Sequence, residues 1–262
     1  MVPYLIICGV ALLVAALTLF SGFGLGTLLM PAFALFFPLP VAVAATAVVH
    51  LANNLFKVGL LGKNADWRVV LRFAFPGALA AIVGAALLNL FADVPPLLSY
   101  ALGGQEHSVT LVKLVISLVI IAFAVLELSP AGDKLAFDRK YLAAGGALSG
   151  FFGGLSGHQG ALRSAFLIKL GLSKEAFVGT GVVSAVIVDV ARLLVYGLAF
   201  YGVRFAQASG EMAGLVIAAT VAAFIGSFIG ARLLKKVTLR GVQVIVGVLL
   251  IAIGLGMGSG LI

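Results

Sequence analysis

A chain of 262 residues that is 63% hydrophobic and only 10% charged lies far below the charged share of a water-soluble domain, about a quarter, so an ordinary soluble fold is excluded. The net charge of +8 does not point to nucleic acid, because the lysines and arginines are scattered between apolar tracts and form no basic domain. The lone cysteine, Cys8, excludes an internal disulfide, and three scattered histidines offer no ligand set, so no metal and no cofactor is expected.

Taken in chain order, apolar tracts cover residues 3–20, 27–37, 41–61, 69–91, 109–128, 141–155, 161–170, 176–201, 213–234 and 242–257. Most approach the length of about 20 residues that a helix needs to cross a bilayer. Alternation of apolar and polar residues is absent, which predicts helices and not a β-barrel. The first tract lacks a basic leader and a small-residue cleavage site and is expected to stay as a helix. Tracts 27–37 and 161–170 are too short to span about 30 Å at 1.5 Å per residue. Each follows a polar, glycine-rich interruption: "SGFGLGTLLMP" (21–31) and "SGHQGALRSAF" (156–166). The most polar connection, "ELSPAGDKLAFDRK" (127–140), carries six charges and divides the chain almost in half.

The halves resemble each other. Ser21-Gly22 matches Ser156-Gly157, and "ATAVV" (45–49) matches "GTGVV" (179–183). "IVGAALL" (82–88) matches "FIGARLL" (228–234), and "LVIIAF" (118–123) matches "VLLIAI" (248–253). Internal repeats of this kind are frequent in transporters. Lys57, Lys63, Arg68 and Arg72 flank one connection, Lys134, Arg139 and Lys140 the central one, and Arg232, Lys235, Lys236 and Arg240 precede the last helix. Connections 92–108 and 202–212 hold only Arg204. With the basic connections inside, parity requires residues 3–37 and 141–170 each to leave on the side where they entered. Each is then a re-entrant hairpin or two short crossings. The expected fold is a single all-α polytopic membrane domain of two inverted-topology repeats, each a broken or re-entrant helical hairpin followed by three transmembrane helices. Repeat 1 covers residues 1–127, a basic cytoplasmic linker 128–140, and repeat 2 residues 141–262, with both termini outside. Gly146, Gly150 and Gly154, and Gly226 and Gly230, have the spacing of close helix packing.

"SGFGLGTLLMP", "ATAVV", "KNADWR" (63–68), "GALSGFFGGLSGHQGAL" (146–162) and "IGARLLKKV" resemble the TauE/SafE family over essentially the whole chain. The resemblance implies export of sulfite, sulfoacetate or other short sulfonates across the bacterial inner membrane by a multi-pass protein. The chain departs from the family where the glycine run is thinned to Gly22, Gly24 and Gly26 in one half and Gly157 and Gly160 in the other. Pro31 has no counterpart in the second half, where Phe166 stands, and His158, Gln159 and Arg163 surround that break.

Inside the apolar tracts, Thr46, His50, Asn53 and Lys57 share one helix face at spacings of 4, 3 and 4, with Asn54 beside them. The matching helix carries Thr180, Ser184, Asp189, Arg192 and Tyr196. Ionisable groups at such depth are costly and normally face a cavity or a partner. Asp189 and Arg192, three residues apart, either neutralise one another or serve transport. Lys57 is read as reaching the inner interface with its head group. His50 and Asn54 lie deeper, and His50 and Asp189 are the candidates for proton coupling. Half-helices starting near Gly26–Thr27 and Gly160–Ala161 would present unpaired N–H groups to an anion, with the Ser21, Thr27 and Ser156 hydroxyls nearby. Arg163 in the first turn of the second opposes the helix dipole unless an anion, or Asp189, accompanies it. The candidate substrate-binding residues are therefore Ser21, Gly22, Gly24, Gly26, Thr27, His50, Asn53, Asn54, Ser156, Gly157, His158, Gln159, Gly160, Arg163, Asp189 and Arg192.

The pattern points to a secondary transporter, an exporter, of small sulfur-containing anions. Expelling one negative charge from a cell that is negative inside releases about 2.3 kcal/mol per 100 mV, so export needs no coupled ion. The alternative is import or export of small carboxylates or another anion by cation coupling. An intramembrane enzyme is disfavoured, since no HExxH and no Cys–His pair occurs at depth, and His107 beside Glu106 is expected outside the membrane. The partners implied are a small anion and the lipid bilayer, not nucleic acid, and the pattern is compatible with a homo-oligomer.

Overall fold

The structure is a computed structural model and describes residues 1–17, 25–129, 135–200, 209–233 and 239–262. Among the described residues, five helices belong to the first half: α1 (Val2–Leu17), α2 (Leu25–Ala34), α3 (Leu39–Leu61), α4 (Trp67–Ala92) and α5 (Leu111–Leu128). Five follow the linker: α6 (Leu142–Ser156), α7 (Gly160–Leu167), α8 (Lys174–Phe200), α9 (Ser209–Leu233) and α10 (Leu239–Gly258). Among the described residues four stretches, Leu39–Asn64, Trp67–Ala92, Lys174–Leu198 and Met212–Gly230, are long and apolar enough to cross a membrane. Local chemistry fixes the helix starts. Pro38 and Pro40 open α3, where a missing N–H costs nothing. The Asp66 carboxylate accepts from the Arg68 and Val69 amides at 2.9 and 3.2 Å to begin α4. Thr110 accepts from the Lys113 amide at 3.3 Å to begin α5.

Glycine decides the closest packing. Added Cβ atoms on Gly146, Gly150 and Gly154 of α6 would collide with the carbonyl oxygens of Phe73, Gly77 and Ala81 of α4, so the two backbones touch along a four-residue repeat. In the same way Gly226 and Gly230 of α9 lie on the carbonyls of Leu12 and Ala16 of α1. The first helix of each half thus packs on the fourth helix of the other, while α3 packs on α8 and α5 on α10. Two apolar clusters flank these contacts, one around Val43, Leu88, Ile116 and Ile120, the other around Ile7, Leu29, Phe33 and Leu215.

The chain turns back after the second interruption. The Phe166 ring near the end of α7 lies on Gly145 at the start of α6 and stacks on Phe137 of the linker, centroids 4.2 Å apart. The Phe137 amide also donates to the Ala165 carbonyl at 3.2 Å. Phe166, which replaces the proline of the first half, is thereby accounted for as packing. The same end of the bundle holds the Thr180 hydroxyl, which accepts from the Asp66 amide at 2.9 Å. At the opposite end, the Tyr100 hydroxyl donates to the Ser259 carbonyl at 2.7 Å, next to the C-terminus.

One feature departs from the all-helical expectation. Residues in the 92–108 connection form an antiparallel hairpin of β1 (Leu98–Leu102) and β2 (Gln105–Val109). Gly103 and Gly104, with φ of 62° and 79°, make its two-residue turn, which needs positive φ at both positions. Helical periodicity over the surrounding tracts concealed this short element.

Gly150→Ala is expected to destabilise the purified protein by roughly 1–3 kcal/mol, the scale of forced overpacking. Gly197→Ala, at a helix position where an added Cβ meets nothing, should be neutral or slightly stabilising. Thermal unfolding of both variants in detergent checks the contrast, and equal midpoints would refute the backbone-contact account.

Candidate functional site

The second interruption stops a helix among apolar neighbours, which strands its last carbonyls. The structure supplies named donors to the carbonyls of Gly153 and Gly154. Gly157 takes the left-handed conformation (φ 83°) and its amide returns to the Gly153 carbonyl at 3.0 Å. Arg192 Nη1 of α8 donates to that same carbonyl at 3.0 Å, placing a cation at the negative end of α6. The Tyr196 hydroxyl, one turn further along α8, donates to the Gly154 carbonyl. Across the gap, Ser149 Oγ donates to the Gln159 carbonyl at 2.9 Å and ties the start of α7 to the body of α6. Gly26 of α2 closes over the gap, where an added Cβ would stand 3.0 Å from the Gly157 carbonyl oxygen. The two interruptions therefore meet at the described Gly26–Gly157 contact. Ser21, Gly22 and Gly24 of the first lie outside the described residues.

Asp189 is fully buried, and its carboxylate collects donors from α3, from its own helix α8 and from the gap between α6 and α7. Oδ1 accepts from Arg192 Nη2 at 2.7 Å, Arg192 Nε at 3.0 Å and Gln159 Nε2 at 2.9 Å. Oδ2 accepts from His50 Nδ1 at 2.6 Å and from Asn54 Nδ2 at 3.3 Å. One carboxylate charge is thus matched by Arg192, and both of its oxygens are saturated. Arg163 does not reach it. Its Nη1 donates instead to Gln159 Oε1 at 3.3 Å, and its Nε end packs on Gly181 of α8. Gln159 bridges the two, with its amide N–H on Asp189 and its carbonyl on Arg163.

Lys57 is the correction to the sequence reading. Its side chain is 7% exposed and does not extend to an interface. It is close enough to Arg163 for their charges to repel, and among the described residues no carboxylate pairs with either. The helical spacing that put Lys57 on the His50 face was the available signal, but a position near a helix end suggested an exit to solvent. Ser149 was not singled out, and only its place in the glycine-rich stretch of α6 marks it.

Other expected residues point elsewhere. Asn53 turns to α9, where Ser227 Oγ donates to its Oδ1 at 2.8 Å. Ser156 donates its hydroxyl to the Phe152 carbonyl at 3.0 Å. The His158 ring stacks on Phe123, and its Nδ1 lies 3.0 Å from the Ser156 carbonyl. Thr27 is buried in the first turn of α2, and Gly160 opens α7. Among the described residues no group of three or more His, Cys, Asp and Glu side chains is placed to hold a metal ion.

A bundle of long apolar helices interrupted at a buried, charge-bearing gap belongs to the class of multi-pass membrane transporters. The family model described as sulfite exporter TauE/SafE matches residues 7–257, and the chain belongs to that family. No curated protein and no solved structure gives a match. Membership makes the chain a membrane transporter with an anionic substrate and not an enzyme.

Asp189→Asn leaves Arg192 buried without a counter-charge and should cost roughly 3–5 kcal/mol, as should Arg192→Gln for Asp189. The double variant should lose clearly less than the sum of the two. Unfolding of the three purified variants measures the coupling, and strict additivity would mean the pair does not act as a unit.

Proposed function

We propose that the protein exports a small sulfur oxyanion, sulfite or a short sulfonate, and binds it between Lys57 and Arg163 at the inner side of the Asp189 cluster. The observation that carries this is charge imbalance. Arg192 takes the charge of Asp189, whose oxygens are already occupied, while Lys57 and Arg163 pair with no carboxylate among the described residues. Two uncompensated positive charges in an apolar bundle are unfavourable alone and favourable once an anion joins them. An ammonium and a guanidinium beside the N-terminal turn of α7 suit a group with three acceptor oxygens and one negative charge.

The supporting architecture is an inverted repeat. The exchange-related packing of first on fourth helices, the return of α7 towards the start of α6, and the basic connections at that same end all favour it. In this reading Lys57, about one turn from the basic end of α3, meets an anion arriving from the cytoplasm, and the membrane potential drives it out. A second reading, proton-coupled movement of a carboxylate, draws on the His50–Asp189 contact of 2.6 Å.

Lys57→Gln and Arg163→Gln should each weaken binding by about 1.5–3 kcal/mol, the scale of a hydrogen bond to a charged group. Arg163→Lys should recover only part, because an ammonium lacks the planar fork. Calorimetry with sulfite, thiosulfate, short sulfonates and dicarboxylates measures this. Parental affinity in both Gln variants would sink the site. Proteoliposome efflux that follows an imposed potential, with no pH gradient, would separate uniport from the proton-coupled reading.

Orientation is tested by labelling. In a Cys8→Ala background, cysteines at Gln105 and Ser209 are expected to react from outside, and cysteines at Lys63 and Lys169 only after permeabilisation. Gln105 is preferred to Gly103 in the hairpin turn, where positive φ would strain a cysteine. Labelling of Lys63 and Ser209 positions from one side would end the inverted-repeat reading.

A further inference from the structure

The basic end of the bundle carries a second feature, unconnected with the buried cluster. Between the starts of α4 and α6 lies an open groove of about 560 Å³, lined by Leu71, Arg72, Phe75 and Pro76 on one side and Arg139, Lys140, Leu142 and Ala143 on the other. Three of its eight lining residues are cations and none is acidic. Among the described residues no carboxylate forms an ion pair with any of the three. Lys140 is steadied over the Tyr141 ring, its Nζ 4.9 Å from the centroid.

The floor is apolar, and it continues. Leu71, Phe75, Leu79 and Val83 are exposed by 64, 66, 54 and 53%, one residue per turn down the outer face of α4. The groove therefore opens at the head of an apolar stripe that descends along a membrane helix. Pro76 shapes it further. It has no N–H, so the Arg72 carbonyl one turn earlier has no helical donor. A soluble anion would use the three cations and leave the stripe unused. A molecule with a phosphate at one end and long acyl chains uses both.

We infer that this groove is a binding site for an anionic glycerophospholipid of the inner leaflet, its phosphate held by Arg72, Arg139 and Lys140 and one acyl chain laid along Leu71, Phe75 and Leu79. The pattern of basic residues immediately above an apolar helix face is the electrostatic arrangement that retains acidic lipids. The site is distinct from Lys57 and Arg163, and its occupancy does not depend on which anion is transported.

The test is native mass spectrometry of the full chain released from detergent and titrated with phosphatidylglycerol, phosphatidylcholine or the water-soluble headgroup glycerophosphoglycerol. The parent protein should retain phosphatidylglycerol over phosphatidylcholine. Arg72→Gln, Arg139→Gln and Lys140→Gln should each lower that retention about fivefold, the change that matches about 1 kcal/mol per cation near an acidic lipid. All three are at the surface, and an unshifted unfolding midpoint in phosphatidylcholine identifies variants that are folded. Phe75→Ser should shorten lipid residence without altering the headgroup preference. Equal retention of the two lipids, unchanged retention in the triple variant, or displacement by the soluble headgroup at concentrations equal to the lipid would each overturn the inference.

Discussion

A helix that ends inside a bilayer must find donors for its last carbonyls without help from water, and the polar centre of this protein is built around that requirement. The end of α6 is served by Arg192 and Tyr196 from α8, and a guanidinium brought to such a place needs its own counter-charge. Asp189, three residues earlier on the same helix, supplies it at 2.7 Å. The carboxylate then has lone pairs left over, and these draw His50, Asn54 and Gln159 inward. The sequence of needs runs from backbone to cation to anion to neutral donors. Each step is fixed by the one before it.

Two groups do not follow from that chain of needs. Lys57 and Arg163 satisfy no stranded carbonyl of α6 and neutralise no carboxylate, so helix termination does not explain them. Structural demand accounts for Asp189 and Arg192; it leaves the Lys57–Arg163 pair as the part of the cluster with charge to spare. Gln159 connects the two parts, its amide on Asp189 at 2.9 Å and its carbonyl receiving Arg163 at 3.3 Å. An anion that drew Arg163 towards itself would have to loosen the longer of these contacts first.

Much of the fold was legible from composition and tract length, because lipid leaves the backbone few choices and helices of about 20 apolar residues follow directly. The glycines at 146, 150 and 154 were legible as packing, and each proves to lie on a carbonyl of α4. The hairpin at 98–109 was not read, although Gly103-Gly104 was its signal, since it is short and lies between strongly helical tracts. At the site, the shared face of His50 and Lys57 and the matching helix of Asp189 and Arg192 were visible as spacings. Which acceptor each side chain chooses was not. Asn53 and Asn54 are neighbours in sequence, yet helical geometry sends one to Ser227 and the other to Asp189. Lys57 was misplaced for a related reason: nearness to a helix end says nothing about what packs over that end.

The half-helices that follow the two interruptions diverge in side chains. Pro31 removes the helical donor of the Thr27 carbonyl in the first half, leaving a buried acceptor there. In the second half Phe166 keeps its N–H and uses its ring to fasten α7 to Gly145 and Phe137. The half that carries Arg163 is thus the half anchored to the linker, while the other contributes Gly26 as a small, uncharged cover against Gly157. If the halves were chemically equivalent, an anion between them would meet the same field from each. Here the described charges are unevenly shared, Arg163, Asp189 and Arg192 coming from the second half and Lys57 from the first, so an anion between the halves would meet a different field from each.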